Sequence, residues 1–207
     1  MLKVRFNLRN MIAITICLTG FSVSNVLAQD NTKDQGVIIN GIKWATRNVD
    51  KHGTFVTSPE DEGMFYQWNR KTAWTTTIDA SDLNSSNGDT WEKSNDPSPV
   101  GWRVPTFDNI NTLLDTAKVS NEWKVKNGIM GQEFTDKTTG NTLFLPAAGY
   151  GHHSNGKIYH LGSKGNYWSR TNSSVPGGAY NLVFDNGNAS WTINTHHYGL
   201  SIRCVAE

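Results

Sequence analysis

The sequence predicts an α+β domain, with one or two early helices followed by many short antiparallel strands. The helix is predicted over residues 107–117, where apolar side chains recur at helical spacing directly after Thr106, a favourable N-cap residue. After residue 117 short apolar runs are separated by turn residues, which is the pattern of strands. Strands and helices do not alternate, so the pattern does not favour a parallel sheet.

The strand predictions rest on the same turn chemistry. Asn40 and Gly41 separate two apolar segments at 37–39 and 42–44, and this residue pair accepts the positive φ angles of a two-residue hairpin turn. A second hairpin is predicted to close at residues 185–188. Further strands are predicted at residues 64–68, 142–145, 166–169, 179–184, 190–193 and 200–205.

Residues 1–28 are predicted to be a signal peptide, because a basic start is followed by a short apolar run and by small residues before Ala28. Cleavage is expected between Ala28 and Gln29. A lipoprotein is not expected, because the bulky Ile16 precedes Cys17 within the apolar run. The expected product is exported and not lipidated, and it is periplasmic or extracellular at the cell surface.

The rest of the chain divides into a short polar tether at 29–35 and a single domain at 36–207. Within the domain, residues 75–100 are rich in polar and turn-forming residues and are expected to form a long surface excursion. The whole chain has 19 basic and 18 acidic side chains, and the leader removes only basic ones. This balance argues against a nucleic-acid partner. No later segment has the apolar length of a transmembrane helix.

Cysteine use excludes an intramolecular disulfide in the predicted mature chain. Cys17 leaves with the leader, so Cys204 has no partner within the chain. Cys204 alternates with Leu200 and Ile202 on one face of a predicted strand and is therefore expected to be a small buried apolar residue.

Six ordered segments, spread over nearly the whole mature chain, carry a family resemblance. They are GIKWATRNV at 41–49, GMFYQWN at 63–69, DPSPVGWRVPT at 96–106, FLPAAGY at 144–150, YWS at 167–169 and SIRCV at 201–205. Together they resemble the Fibrobacter succinogenes major paralogous domain, a family abundant in the envelopes of Bacteroidetes. Six segments in a fixed order are more specific than any one motif.

The resemblance implies a C-type-lectin-like domain, since that family is similar to the C-type-lectin-like and formylglycine-generating-enzyme superfamily. In such folds the first and last strands pair, which would bring residues 38–44 beside residues 200–205. The segment 102–106 looks like the helix start of the formylglycine-generating enzymes, and 199–204 looks like their final motif. The resemblance does not transfer activity, because those enzymes use two thiols on copper and only Cys204 is available.

Metal sites are weakly indicated. His152-His153 and His196-His197 lie in polar segments, but neighbouring side chains on an extended chain point to opposite faces, so each pair would give at most one ligand unless the chain bends. Asp136 with Asn141, and Asp185 with Asn186 and Asn188, could give oxygen ligands to calcium. These residues are also typical of tight turns. No cofactor is therefore predicted, and calcium or zinc stays open without a specific motif.

Aromatic rings with nearby amides are typical of glycan-binding surfaces. The tryptophans in the family-like segments, at 44, 68, 102 and 168, are assigned to the core. Rings and imidazoles at the borders of loops are the candidates for ligand binding. These candidates are Trp74, Trp91, Tyr150, His152, His153, Tyr159, Trp191, His197 and Tyr198.

The sequence thus favours a ligand-binding or surface-assembly module that recognises a glycan or an envelope or host protein. The first alternative is a structural envelope component without a small ligand, and the second is a divergent enzyme related to the formylglycine-generating enzymes. An enzyme is not expected, because hydrolase, metalloprotease and phosphate-binding motifs are missing from the sequence. A pair of glycosidase carboxylates stays open, because such residues need not be close in sequence.

Overall fold

A computed structural model describes residues 30–74 and 88–207, so the predicted leader and cleavage site lie outside the described residues. The described chain begins with strands β1 (Val37–Ile39) and β2 (Ile42–Asn48), which pair as an antiparallel hairpin. Asn40 and Gly41 form its turn with φ angles of 45° and 79°. The predicted hairpin is confirmed, and its turn uses the left-handed conformation that this residue pair tolerates best.

The N-terminal hairpin joins the C-terminal strand in one sheet. Strand β3 (Trp102–Arg103) and strand β12 (Arg203–Ala206) complete a four-stranded sheet in the order β1-β2-β12-β3. In the register of this sheet Val205 lies opposite Trp44. Strand β2, the second strand of the hairpin, therefore makes the contact that was predicted between the two ends of the domain, while β1 lies at the sheet edge.

Helix α1 (Phe107–Leu114) begins where the sequence predicts. The Thr106 hydroxyl accepts a hydrogen bond from the Asn109 backbone N–H, and the Asn109 side chain accepts one from the Thr106 backbone N–H, which makes a capping box. The helix ends three residues before the predicted Ala117. Asp115 is extended, and its carboxylate accepts the Ala117 N–H at 3.1 Å, which replaces a further helical turn.

Two three-stranded antiparallel sheets follow. The first has the order β4-β5-β6, with strands β4 (Val119–Lys126), β5 (Ile129–Asp136) and β6 (Thr142–Pro146). The hairpin between β4 and β5 was not predicted, although its turn is also an Asn-Gly pair, Asn127-Gly128, with positive φ angles.

The second sheet has the order β11-β10-β9, with strands β9 (Lys164–Asn172), β10 (Gly178–Asp185) and β11 (Asn188–Thr195). Asp185 pairs with Asn188 across the predicted hairpin turn, which is confirmed. The strands predicted at 142–145, 166–169, 179–184 and 190–193 lie inside β6, β9, β10 and β11. Among the described residues the fold is thus a mostly antiparallel β structure with one α-helix, which agrees with the α+β class.

The strand predicted at residues 64–68 is wrong. Only Tyr66 of this segment makes β-bridges, to Ala73 and Leu200, and a turn begins at Trp68. Its hydrogen bonds reach several segments, because the Trp68 N–H donates to His196 O while its indole N–H donates to Ser169 O at 2.9 Å. Burial of Tyr66 and Trp68 explains the aromatic pattern without a regular strand.

The core has two parts on opposite sides of the β9–β10–β11 sheet. The first cluster includes Tyr167, Leu182 and Phe184 from the sheet, together with residues of α1 and of β1, β2, β5, β6 and β12. The second cluster includes Trp168 and Ala179 from the sheet and is rich in tryptophan. Trp44, Trp68, Trp102 and Trp168 are all buried, as predicted.

Cys204 lies in the second cluster and is fully buried, as predicted. Burial raises the pKa of its thiol far above the usual range, although a hydrogen bond to Ser98 opposes the shift. The thiol is therefore protonated and unreactive at neutral pH.

The segment before β1 is docked on β2. The Asp34 carboxylate accepts hydrogen bonds from the backbone N–H groups of Gly36 and Thr46 and from the Arg47 side chain. Burial by itself raises the pKa of Asp34, but these hydrogen bonds outweigh it and leave the pKa lowered. The last residues of the predicted tether are thus part of the folded structure. In the described part of the chain no helix is long and apolar enough to cross a membrane.

Candidate functional site

Two chain segments meet beside the β9–β10–β11 sheet. Strands β7 (Tyr150–Gly151) and β8 (Ile158–Tyr159) form a short hairpin, and the loop from β11 to β12 runs along it. Gly151 and Gly199 join the two segments by reciprocal backbone hydrogen bonds of 2.8 and 3.0 Å. The Trp74 indole covers this junction, since a Cβ atom on Gly151 would lie 2.6 Å from the ring. Glycine at this position lets the two backbones and the indole pack closely.

Rings from both segments form a continuous group, here called the ring cluster, consisting of Tyr150, His152, His153, Tyr159, His160, His197 and Tyr198. Tyr198 is central, because its ring centroid lies 5.6 Å from that of Tyr150 and 5.2 Å from that of His152. Tyr150 also stacks on Tyr159 at 6.0 Å with an interplanar angle of 22°. These contacts hold the rings of Tyr150 and Tyr198, which also line the adjacent cavity.

A cavity of about 170 Å³ lies between the ring cluster and the sheet. Its lining combines three rings, one ammonium group, two amides, one hydroxyl and one aliphatic side chain. These residues are Tyr150, His160, Lys164, Asn166, Val183, Thr192, Asn194 and Tyr198. This cavity is the candidate binding site.

Strand alternation explains the polar floor of the cavity. Thr192 and Asn194 are two positions apart on β11, so their side chains point to the same face of the sheet. Asn194 Nδ2 donates to Asn181 Oδ1 at 3.2 Å, and Asn166 Nδ2 donates to Gly149 O at 3.4 Å. Because these bonds engage the nitrogen atoms, they orient both amides in the floor before a ligand arrives.

The site carries little net charge. Lys164 Nζ lies 3.7 Å from Asp185 Oδ2, so the carboxylate partly neutralises the charge of the ammonium group. Desolvation lowers the pKa of His153, and the neighbouring His152 and His197 imidazoles lower it further. Desolvation raises the pKa of Tyr150, with smaller contributions from Tyr198 and Tyr159. The Tyr150 wall is therefore neutral at neutral pH, as suits an uncharged polar ligand.

The structure brings most of the predicted candidates together. Tyr150, Tyr159 and Tyr198 lie in the ring cluster with three of the predicted imidazoles, and Trp74 covers the adjacent junction. His152 and His153 follow the exception that was stated for a bent chain, and their side chains do not point to opposite faces. Their rings stack at 5.0 Å with an angle of 14°, because a turn directly after β7 bends the chain.

Two candidates lie elsewhere. Trp91 is only 1% exposed and packs edge to face against Trp68, so the choice of Trp91 as a ligand-binding residue is corrected to a core residue. The residues around Trp91 are polar, so the sequence indicated a surface loop. A single ring can nevertheless anchor such a loop to the core. Trp191 lies on the sheet face opposite Thr192 and contacts Phe107 and Tyr180.

Six residues of the cavity lining were missed. They are His160, Lys164, Asn166, Val183, Thr192 and Asn194. The predicted strand at 190–193 held a usable signal, since its alternation separates Trp191 from Thr192. The partner strands were not identifiable from the sequence alone, and Asn166 therefore had no predicted neighbour.

The two carboxylates considered for calcium serve as turn residues. Asp136 accepts hydrogen bonds from the backbone N–H groups of Asn40, Thr138 and Thr139, which engage both carboxylate oxygens. Asp185 closes the β10–β11 hairpin. Within residues 30–74 and 88–207, no group of three or more histidine, cysteine or acidic side chains is arranged to hold a metal ion.

Comparison with known proteins gives one match. Residues 118–205 match the model of a family described as a domain of unknown function (DUF8237). The match begins just before β4 and ends within β12, so it contains every residue that lines the cavity. No curated protein and no solved structure matches the chain at a significant level. The chain is thus similar to that family over its C-terminal region.

Proposed function

We propose that this chain is an exported carbohydrate-binding module with a C-type-lectin-like architecture, and that the cavity beside the ring cluster holds one sugar unit of an envelope or host glycan. The proposal keeps the resemblance to the Fibrobacter succinogenes major paralogous domain. The antiparallel sheets, the single described helix and the pairing of β2 with β12 support it.

One observation carries the proposal: two tyrosine rings and two oriented amides line the same small cavity. Tyr150 and Tyr198 form walls, while Asn166 and Asn194 lie in the floor. A pyranose ring has an apolar C–H face and a rim of hydroxyl groups. Aromatic walls fit the first of these surfaces, and amide and hydroxyl groups fit the second.

The size and charge of the cavity restrict the ligand. A volume of about 170 Å³ suits a single sugar residue and is small beside the pockets that enclose drug-sized molecules. Lys164 donates hydrogen bonds but is partly balanced by Asp185 at 3.7 Å, so a neutral sugar, or one with a single carboxylate, is the expected ligand class.

The direct test is isothermal titration calorimetry of the purified chain against a panel of neutral and acidic monosaccharides and oligosaccharides. Replacing Tyr198 with alanine removes a cavity wall and should weaken binding about tenfold, equivalent to about 1.4 kcal/mol. Trp191→Ala is the matched control, because it removes an exposed ring from the opposite sheet face and should leave the affinity unchanged.

Thermal unfolding provides an independent measurement, because a ligand that binds only the folded state raises the melting temperature. A sugar that raises the melting temperature of the wild type but not of Tyr198→Ala supports the cavity as the site. If a broad panel at high concentration gives neither heat nor a melting shift, the proposal is wrong and a structural envelope role is the better account.

A further inference from the structure

Two long strands, β4 and β11, lie at open edges of the sheets formed by the described residues. Both are eight residues long, but their sequences differ in a way that matters for association. Strand β4 contains Glu122, Lys124 and Lys126, and charged side chains on an edge oppose pairing with another chain. Strand β11 has the sequence NASWTINT and contains neither a charged residue nor proline. It therefore lacks the features that protect natural sheet edges.

Strand β11 also carries the large exposed ring of this region. The Trp191 side chain is 48% exposed, although it contacts the rings of Phe107 and Tyr180. Leu182 lies opposite Trp191 on β10 and is buried. Trp191 thus extends the apolar face of the sheet to its outer edge, where a further strand would cover it.

We propose that two copies of this chain associate through their β11 strands, which pair antiparallel about a two-fold axis at Trp191. In this register Trp191 faces its own copy, Ala189 faces Ile193, Ser190 faces Thr192 and Asn188 faces Asn194. Apolar side chains meet apolar ones and polar side chains meet polar ones, on the same faces that they occupy in one chain.

The pairing joins two three-stranded sheets into one six-stranded sheet. Backbone N–H and C=O groups at the open edge gain partners, and the exposed part of each Trp191 ring is removed from water. Edge pairing of one strand buries a small area, so the dimer should dissociate on dilution. Thr192 and Asn194 keep their orientation, which leaves both cavities on one face of the joined sheet.

The first experiment measures the molar mass of the purified chain by analytical ultracentrifugation, from low to high micromolar concentration. The expected mass rises from that of one chain to that of two. Ser190→Lys adds a charge to the β11 edge outside the cavity lining and should keep the chain monomeric throughout this range. Asn121→Lys adds the same charge to the β4 edge and should still dimerise.

The second experiment tests the two-fold register. Trp191→Cys would bring two thiols close together at the axis, so a short bismaleimide should link two chains efficiently. Asn121→Cys is the control, and the native Cys204 is buried and does not react. Far-UV circular dichroism and urea unfolding check that each variant is folded.

Three results would overturn the proposal. The proposal is wrong if the wild type stays monomeric at every concentration, if the Ser190→Lys variant dimerises as well as the wild type, or if the two cysteine variants cross-link equally. None of these results depends on glycan binding, because molar mass and cross-linking report the association of two chains and not their affinity for a sugar.

Discussion

The two faces of the β9–β10–β11 sheet use the same three strands for different purposes. One face is covered by the first core cluster, with Tyr167 and Phe184 fully packed. The other face is covered by Trp168 and the second cluster at one end, but it is open at the cavity, where Thr192 and Asn194 lie. Alternation along each strand separates the two sets of residues. The covered face is apolar, whereas the open end of the other face is polar at Thr192 and Asn194.

The comparison implies that side chains one position apart on a strand have separable effects. A change on the covered face should alter stability and leave the site chemistry intact, provided that the chain folds. A change on the cavity face should do the reverse.

The largest effect is expected for Phe184→Ala. Phe184 is buried and contacts the rings of Tyr167 and Phe134, with centroid distances of 5.8 and 6.4 Å. Removing it leaves a cavity in the first cluster and should lower the free energy of unfolding by about 3–5 kcal/mol. Urea unfolding at equilibrium measures the change.

Val183→Ala is the matched control for Phe184→Ala. Val183 is the preceding residue, is half-buried and lines the binding cavity. It should cost only about 1 kcal/mol of stability. Equal losses from both substitutions would contradict the assignment of the two faces.

An intermediate effect is expected for Thr192→Val, which keeps the side-chain shape and removes a hydroxyl from the cavity floor. Sugar binding should weaken by about 1 kcal/mol, roughly fivefold, because one hydrogen bond is lost. Calorimetry measures the affinity, and stability should stay close to that of the wild type. A normal affinity with reduced stability would show that Thr192 contributes to folding and not to sugar binding.

The smallest expected effect is a dependence of stability on pH that comes from two desolvated histidines. His153 belongs to the ring cluster, and His196 stacks on Trp68. Desolvation lowers the pKa of both imidazoles below the ordinary value of 6.5. As the pH falls below that value, the unfolded chain binds protons that the folded chain does not, so stability present at neutral pH is lost on acidification.

Melting temperatures between about pH 7 and pH 5 test this expectation. His153→Asn should make the fall on acidification less steep than in the wild type. The exposed His52, replaced in the same way, controls for the loss of one imidazole. A slope that is unchanged in His153→Asn would exclude that residue as a source of the pH dependence.

The elements that could be predicted from the sequence are those with local causes. The turn at Asn40-Gly41 and the N-cap at Thr106 depend on a few adjacent residues, and both are present in the structure. The turn at Asn127-Gly128 has the same local cause and was overlooked. The end of the helix was missed because the Asp115 side chain competes with the helical backbone hydrogen bonds.

The site depends on contacts between distant residues, which is why only its aromatic part could be predicted. Tyr150 and Tyr198 were recognised as loop rings, but their approach depends on the contact between Gly151 and Gly199. Asn166 joins the site because β9 pairs with β10, and no pattern within the sequence of β9 indicates its partner strand. Trp91 was misplaced for the same reason, since its contact with Trp68 joins distant segments.

The pairing of β2 with β12 also determines when this domain can finish folding. Val205 lies opposite Trp44, so the sheet that β2 begins is complete only when the distant strand β12 pairs with it. Both residues belong to the first core cluster, which stays open until then. Contacts between such distant residues also make folding slow.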